Sequence, residues 1–294
     1  MKNDGHRAES APAQDGAEAW KRQDRRYHEL PQIAESYDRR VARFYRLDHR
    51  LYTLEPWKRK LLSDGDPGRP VLDFGCGTGH ATFAFAAAGF EIVSLDASLA
   101  MLRRVQSKAR RAGLAVTCVL ADGDRLPFRD GTFGAVVCTG VLHHMPEPAT
   151  GARSQARVLG DGGRLFISEP YAETPLLSRP GHWLFGLARG VRDRLKRRAG
   201  GESARERALS QDELATVTSA LEEQGFGYTI RRFSYWPYLC GYLPEALAWP
   251  LMRFLDLVKS AESGDAVKIE AQRSKSRRQA AQEDSDPPPT DPPA

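Results

Sequence analysis

Residues 71–79, VLDFGCGTG, decide the fold of this chain, and a stretch of small and apolar residues, HATFAFAAAG at 80–89, follows them directly. A buried strand that passes through a glycine-rich loop into a helix is typical of the first unit of a doubly wound parallel sheet. Glycines allow positive φ angles and let a ligand approach the backbone closely. The free N–H groups at the start of a helix favour a carboxylate or a phosphate. The loop is therefore the first candidate binding site.

The residues after this loop continue the alternation of strands and helices. Because apolar strands that alternate with helices form a parallel sheet covered on both faces, we expect a Rossmann-like, doubly wound α/β fold. The predicted strands are EIVSLD at 91–96, AVTCVLAD at 115–122, GAVVCTG at 134–140 and GGRLFISEP at 162–170, with helices at 98–113 and 148–158.

Two further strands complete a predicted seven-stranded sheet. A helix with a capping box at Ser210 and Glu213 precedes strand six, GYTIRRFSY at 227–235. In DAVKIEAQRSK at 265–275, apolar residues alternate with charged and polar ones, which is the pattern of an edge strand. We expect this segment to be strand seven and to run antiparallel.

The composition is that of an ordinary globular protein. The chain has 294 residues, of which 41% are hydrophobic and 28% charged, which excludes a mostly disordered or fibrous chain. Its four cysteines form no CxxC pair, so the sequence predicts neither a metal site nor a disulfide framework. No apolar run approaches the roughly 20 residues of a membrane-spanning helix, and no secretory signal is apparent. We expect a protein of the reducing cytoplasm.

The two ends of the chain differ from its middle. Residues 1–26 are polar and without periodicity, and residues 276–294 are acidic and rich in proline, so both are predicted to be disordered. Between them we expect an N-terminal helical segment at 27–64 and a main domain at 65–275. Helical insertions after strands five and six are expected at about 175–208 and 235–262.

Acidic residues end two of the predicted strands beside the glycine loop. Asp96 ends strand two, where a carboxylate can accept hydrogen bonds from both hydroxyls of a ribose. Asp122 ends strand three, where an acid can accept from the amino group of adenine. Because the carboxyl ends of parallel strands meet at one edge of a sheet, these acids and the loop together predict a pocket for an adenosine with a charged tail.

The glycine spacing distinguishes between adenosine cofactors. A dinucleotide site has the pattern G-x-G-x-x-G, but His80 stands where its third glycine is expected. The spacing D-x-G-x-G-x-G, which begins at Asp73, resembles class I S-adenosylmethionine-dependent methyltransferases. The segments at 122–133, 140–148 and 157–170 are similar to that family as well. The resemblance covers about residues 27–275 and is strongest to the subgroup of ubiquinone, menaquinone and small-molecule methyltransferases.

The resemblance assigns the cofactor to the loop and to the strand ends. The three glycines would border the methionyl part, and the acid before them would order the loop or hold the amino group. The acids after strands two and three would hold the ribose and the adenine, and a threonine after strand four would lie near the sulfonium. A helix at 27–38, with Tyr27 or Tyr37, would close over the cofactor. The implied binding residues are Asp73, Gly75, Gly77, Gly79, Asp96, Asp122, Gly123, Thr139 and Tyr37.

Two adjacent histidines are the candidate catalytic residues. Methyl transfer needs a general base only if the nucleophile must lose a proton, and His143 and His144 follow strand four, where they could serve. Each has an alternative structural role at the start of the next helix. A cysteine triad for radical chemistry is absent, and the Asn/Asp-Pro-Pro-aromatic motif of base-methylating enzymes is absent after strand four.

The expected function is transfer of a methyl group to the oxygen or carbon of a small, partly apolar acceptor. Alternatives are a tRNA or other macromolecular methyltransferase, a nicotinamide oxidoreductase, and a cofactor-binding regulator or scaffold. A basic amphipathic segment at 183–198 is either a cap on the domain or a peripheral contact with an anionic membrane. We expect no nucleic-acid partner, and the oligomeric state stays open.

Overall fold

The structure, a computed structural model, is built on a seven-stranded sheet in the order β3-β2-β1-β4-β5-β7-β6. β7 is antiparallel to both of its neighbours, and β1 to β5 are parallel, so the predicted Rossmann-like fold with an antiparallel strand seven is confirmed. The strands are β1 (Val71–Phe74), β2 (Ile92–Asp96), β3 (Thr117–Leu120), β4 (Phe133–Thr139), β5 (Leu159–Pro170), β6 (Phe226–Phe233) and β7 (Ala266–Arg273). The residues described are 14–40, 53–64, 68–172, 208–233, 244, 246–248, 250, 251 and 266–274.

Helices cover both faces of this sheet and its carboxyl edge. Their order along the chain is α1 (Gln14–His28), α2 (Pro31–Arg40), α3 (Leu54–Asp64), α4 (His80–Ala86), α5 (Leu99–Ala112), α6 (Pro148–Val158) and α7 (Gln211–Glu223). A 3-10 turn, Leu142–His144, follows β4. The capping box predicted for α7 is present, with Ser210 and Glu213 each accepting from the other's backbone N–H. No helix among the described residues is long and apolar enough to cross a bilayer.

Successive residues of the central strands enter two different hydrophobic cores. On one face, Leu72 and Val136 pack with residues of α6 and α7. On the other, Val71 and Phe166 pack with α3 and α4, and the fully buried ring of Trp57 stacks on Phe166 at 5.3 Å. Because both faces are buried, these strands are continuous apolar runs in the sequence.

The prediction that strand seven lies at an edge is wrong. β7 lies between β5 and β6, and β6 is the edge strand on that side of the sheet. The charged residues of β7 suggested exposure, but each has a partner inside the fold. Glu270 accepts from Trp57 Nε1 at 3.3 Å and from Lys60 Nζ at 2.9 Å, and the ammonium of Lys268 lies 4.7 Å from the centre of the Phe233 ring.

The amino-terminal region also differs from the prediction. Within residues 1–26, which were expected to be a disordered tail, the structure has the helix α1 over Gln14–His28. Its polar residues bond to acids and backbone groups of the main domain, so the helix does not need a hydrophobic core of its own. Residues 1–13 and 276–294, the insertion at about 175–208 except residue 208, and most of the insertion at 235–262 lie outside the described residues.

Candidate active site

The glycine loop joins β1 to α4 at the carboxyl edge of the sheet. Gly75, Gly77 and Gly79 have φ angles of 69°, 51° and 92°, which residues with a side chain rarely adopt. A Cβ atom at Gly75 would lie 2.5 Å from a methyl group of Val141, whereas one at Gly77 would meet nothing within 4 Å. The backbone at Gly77 therefore faces open space, as a cradle for a ligand requires.

Asp73 orders the loop from below. Its carboxylate is buried and accepts hydrogen bonds from the backbone N–H and the hydroxyl of Thr82, at 2.8 and 2.6 Å. Burial raises the pKa of Asp73 to about 6. This side chain fixes the first turn of α4, so its predicted role in ordering the loop agrees with the geometry better than direct contact with a ligand.

Asp96 connects the loop to the start of α5. One carboxylate oxygen accepts from the N–H of Gly77 and the other from the N–H of Ser98, both at 2.8 Å. Burial raises the pKa of Asp96 above its usual value, although these hydrogen bonds oppose the shift. Each oxygen keeps a second lone pair, so the carboxylate can still accept from two hydroxyls of a ribose.

An open cavity of about 350 Å³ lies beside Asp122. Its walls combine apolar side chains with two acids and one base, which suits a flat, weakly polar ring such as adenine. A Cβ atom at Gly123 would lie 2.6 Å from the Phe74 ring, so glycine is required there by packing. The lining residues are Arg25, Glu29, Ala97, Leu99, Leu120, Ala121 and Asp122.

The basic residues of α1 bind the acids at this end of the sheet. The ammonium of Lys21 contacts the carboxylate of Asp124 and lies 3.6 Å from that of Asp122, and Arg25 lies 3.5 Å from Asp122. Burial lowers the pKa of Lys21, but the two acids raise it overall, so the side chain is charged. The α1 helix is thereby held over the cavity.

The segment after α1 caps helix α5. The two carboxylate oxygens of Glu29 accept from the N–H groups of Leu99 and Ala100, at 2.7 and 3.2 Å. Ser98 is the N-cap of α5, and its hydroxyl also donates to the carbonyl of His28 at 3.1 Å. An acid at the amino end of a helix is favourable, so this contact fixes the position of α1 relative to the sheet.

His143 is paired with a buried glutamate. The Nδ1 atom of His143 lies 2.7 Å from Oε2 of Glu169, whose side chain is fully buried. The same carboxylate accepts from the backbone N–H groups of Val141, Leu142 and His143, at 2.8, 2.9 and 3.3 Å. Glu169 thus holds the 3-10 turn and the ring together, and the Nδ1–H donated to it leaves Nε2 to accept a proton.

His144 faces the opposite way, towards α1. Its Nδ1 lies 3.1 Å from Oδ1 of Asp24, and Nδ1 of His28 lies 3.3 Å from Oδ2 of the same carboxylate. Burial, followed by the neighbouring His143, lowers the pKa of His144. Burial also disfavours a charge on Asp24, yet the two histidines lower its pKa overall. The two predicted catalytic histidines therefore have different partners, because His143 contacts Glu169 and His144 contacts Asp24.

Two predicted residues lie at the rim of the site. Thr139 is the last residue of β4 and pairs with Ser168 of β5. The Tyr37 ring on α2 is 6.0 Å from the His28 ring. Next to it, Asp38 accepts from Lys108, which also donates to the carbonyl of Thr78 in the glycine loop at 2.6 Å. The structure therefore brings α1, α2, the loop and the turn after β4 together at one edge.

Three contributors were missed by the sequence interpretation. Glu169 lies at the carboxyl end of strand five, at the same edge of the sheet as Asp96 and Asp122. Because the carboxyl ends of parallel strands meet at this edge, the reasoning that identified those two acids also applied to Glu169. Asp24 and His28 are spaced i and i+4 on one helical face, but Asp24 falls in the segment interpreted as a tail and His28 in the predicted helical segment at 27–64, so the pair was not recognised.

Comparisons with known proteins find methyltransferases among the relatives of this chain. A family profile described as a methyltransferase domain matches residues 72–167. A demethylmenaquinone methyltransferase of Beutenbergia cavernae is 37% identical over 134 residues, which are 44% of this chain and 54% of the relative. A ubiquinone biosynthesis O-methyltransferase of Ralstonia nicotianae is 29% identical over 61% of this chain and 83% of its own length. The chain spans about half the length of the curated demethylmenaquinone relatives it matches.

Solved structures share the fold at low identity. The magnesium protoporphyrin IX methyltransferase of Synechocystis PCC 6803, solved with S-adenosylhomocysteine, has a TM-score of 0.55 and 22% identity and covers 87% of this chain and 100% of its own. The cyclase SpnF has a TM-score of 0.50 and 21% identity and covers 76% of this chain and 81% of its own. Because a cyclase shares this fold, the fold alone does not determine the reaction.

Proposed function

We propose that the chain is a class I S-adenosylmethionine-dependent methyltransferase and that it methylates a small, partly apolar acceptor whose oxygen or carbon nucleophile must first lose a proton. The observation that carries this proposal is the 2.7 Å contact between His143 Nδ1 and the buried carboxylate of Glu169. A histidine held in one tautomer by an acid is the arrangement of a general base.

The residues at the edge of the sheet fit S-adenosylmethionine. The open backbone at Gly77 suits the methionyl part, the free lone pairs of Asp96 suit the ribose, and the apolar cavity beside Asp122 suits adenine. When bound, S-adenosylmethionine supplies a methyl group on a positively charged sulfonium, which is an excellent leaving group. The protein then needs to position the acceptor, exclude water and remove one proton.

His143 would remove that proton through Nε2. The proton would give the ring a positive charge, and the carboxylate of Glu169 would stabilise that charge at close range in a site of low polarity. Glu169 is itself compensated by three backbone N–H groups, so it remains in place when the ring is neutral. His144, whose Nδ1 is occupied by Asp24, has a positioning role in this proposal.

The acceptor class follows from the need for a proton acceptor. A neutral amine attacks without losing a proton first, whereas a phenol or a quinol reacts far faster as its anion. Relatives of this chain are named demethylmenaquinone methyltransferase and ubiquinone biosynthesis O-methyltransferase. We therefore favour phenolic or quinol acceptors with an apolar substituent. Location in the cytoplasm and a membrane contact through 183–198 stay predictions, and the oligomeric state stays open.

The test uses the full chain with S-adenosylmethionine carrying a radiolabelled methyl group. Hydroxylated quinols, simple phenols, amines and total tRNA are supplied in parallel, and products are checked for a mass increase of one methylene. Labelling of a phenol or quinol that disappears in His143→Ala supports the proposal. Labelling of tRNA alone, or no transfer to any acceptor despite cofactor binding in calorimetry, would favour the macromolecular or the non-enzymatic alternative.

A further inference from the structure

Asp24, His28 and His144 form a cluster whose ligand atoms converge beside the candidate active site. Asp24 and His28 lie one turn apart on α1, and His144 comes from the 3-10 turn after β4, which is 120 residues away in sequence. One ligand atom from each side chain lies within 4.8 Å of the other two. We propose that this Asp24–His28–His144 cluster is a binding site for one divalent transition-metal ion.

The separations between ligand atoms agree with a coordination shell. Bonds of about 2.0–2.2 Å from an ion to nitrogen or oxygen place neighbouring ligand atoms about 3.0–3.4 Å apart. The carboxylate of Asp24 lies 3.1 Å from His144 Nδ1 and 3.3 Å from His28 Nδ1. Without an ion, His144 Nδ1 is hydrogen-bonded to the Asp24 carboxylate, and His28 Nδ1 lies between that carboxylate and the backbone carbonyl of Asp24, which is 2.9 Å away. An ion would take the place of the ring protons at these nitrogens.

The donor set defines the kind of ion. Two imidazole nitrogens and one carboxylate suit zinc, iron, cobalt or manganese, whereas magnesium prefers oxygen ligands and retains its waters. Three protein ligands leave at least one coordination position open for water or an acceptor oxygen. The three side chains are 22%, 15% and 20% exposed, so an ion could enter from solvent without the fold opening.

The surrounding contacts hold the backbone that carries each ligand. The indole N–H of Trp20 donates to the carbonyl of His144 at 3.1 Å, which ties α1 to the 3-10 turn. The hydroxyl of Ser98 donates to the carbonyl of His28, which fixes the end of α1. Ligands on two separate elements are therefore pre-positioned, as metal sites require.

A bound ion would lie next to the proposed base. The rings of His143 and His144 are 4.1 Å apart, so an ion held by His144 would lie close to the proposed base, although the Nδ1 atoms of the two rings face different elements. The ion would orient the acceptor oxygen and lower its pKa by its positive charge. This role rests on the proposed methyl transfer, but ion binding does not.

The experiment measures ion binding without cofactor or acceptor. Untagged protein is treated with a chelator, dialysed and titrated with Zn²⁺ by calorimetry, and with Co²⁺ by visible absorption. We expect one ion per chain and an intense tetrahedral or five-coordinate Co²⁺ spectrum. Mg²⁺ in large excess should not displace the Co²⁺. Absence of stoichiometric Zn²⁺ and Co²⁺ binding to the folded protein would overturn the proposal.

Variants locate the site. Asp24→Asn, His28→Ala and His144→Ala should each weaken Zn²⁺ binding at least tenfold, with folding checked by circular dichroism. The matched control is His80→Ala, which removes another partly buried histidine at the start of α4 and should leave Zn²⁺ binding unchanged. Wild-type affinity in all three cluster variants, or an equal loss in His80→Ala, would overturn the assignment. Either result would leave the methyl-transfer assay to be decided separately.

Discussion

The Nδ1 atom of His143 and the Oε2 atom of Glu169 lie 2.7 Å apart, and Glu169 is fully shielded from solvent at the end of β5. A buried carboxylate is costly unless hydrogen bonds compensate it. Here three backbone N–H groups and one ring N–H do so, and all of them belong to the turn after β4. The pair therefore connects the geometry of two neighbouring strands to the orientation of one imidazole ring.

The first prediction concerns Glu169 as a positioning residue. Glu169→Gln keeps one oxygen for the N–H groups of Val141 and Leu142, but it replaces the oxygen that faces His143 with an NH2 donor and removes the charge that would stabilise a protonated His143. We expect turnover to fall by about 10²-fold or more, as for loss of a general base. Affinity for S-adenosylhomocysteine, measured by calorimetry, should not change, because no predicted cofactor contact is lost.

Two comparisons separate this role from general loss of structure. Glu169→Gln should add no further loss in a His143→Ala background, because residues that act as a unit are not additive. Glu223→Gln, at an exposed glutamate on α7 paired with Arg153, should retain wild-type turnover. Additive losses in the double variant would mean that Glu169 acts independently of His143.

Local patterns explain what could be predicted from the sequence. The strand of Val71–Phe74, the glycine loop and the acid at position 96 lie close together along the chain or at matching strand ends. Each could be inferred from apolar runs, glycine spacing and the meeting of parallel strands at one edge. The Asp96 contact with the N–H of Gly77 is the direct outcome of that geometry.

Long-range pairing explains what could not be predicted. The position of β7 between two strands depends on partners such as Trp57, 213 residues from Glu270, and alternation of residues does not reveal them. The helix α1 was missed because its polar composition resembles a tail, while its stability comes from ion pairs such as Lys21 with Asp124, 103 residues away. The composition of a segment does not reveal which distant residues it will contact in the folded protein.

The second prediction concerns Asp96. Asp96→Ala removes the proposed ribose acceptor and also the contacts with the N–H groups of Gly77 and Ser98. Each hydrogen bond to a charged group contributes about 1.5–3 kcal/mol, so the dissociation constant for S-adenosylhomocysteine should rise at least about tenfold. Calorimetry measures it directly. Asp161→Ala, at an exposed acid near the start of β5, is the control, and equal affinities in the two variants would move the ribose site elsewhere.

The third prediction concerns the ion pairs between α1 and the sheet. Lys21→Met keeps the aliphatic stem but removes the charge that binds Asp122 and Asp124. Partly exposed ion pairs contribute up to about 1 kcal/mol each, so cofactor affinity should fall about twofold to tenfold. Amide exchange in Gln14–His28 should also become faster. Lys60→Met breaks an ion pair with Glu270 on another part of the sheet. It should change neither the cofactor affinity nor the rate of amide exchange in Gln14–His28. Unchanged exchange in Lys21→Met would show that other contacts hold α1.

The fourth prediction concerns the pH dependence of stability through Asp73. Burial raises its pKa from 3.8 to about 6 in the folded protein, so the native state binds this proton more tightly than the unfolded chain does. Protonation therefore stabilises the fold at low pH, and that stability is lost as pH rises from about 4 to about 6. A shift of this size corresponds to about 3 kcal/mol in the free energy of unfolding.

Asp73→Asn is nearly isosteric, keeps an oxygen for the N–H of Thr82 and cannot ionise. Only the wild type must ionise a buried carboxyl group as the pH rises, and this destabilises its folded state. The free energy of unfolding of the variant minus that of the wild type should therefore rise by about 2–3 kcal/mol between pH 4 and pH 7. Urea titrations at each pH measure this difference, and other carboxylates cancel in the subtraction. Asp130→Asn, at a carboxylate that is 77% exposed, is the control for the same substitution on the surface. A flat difference for Asp73→Asn would mean that Asp73 ionises in the folded protein as easily as in water.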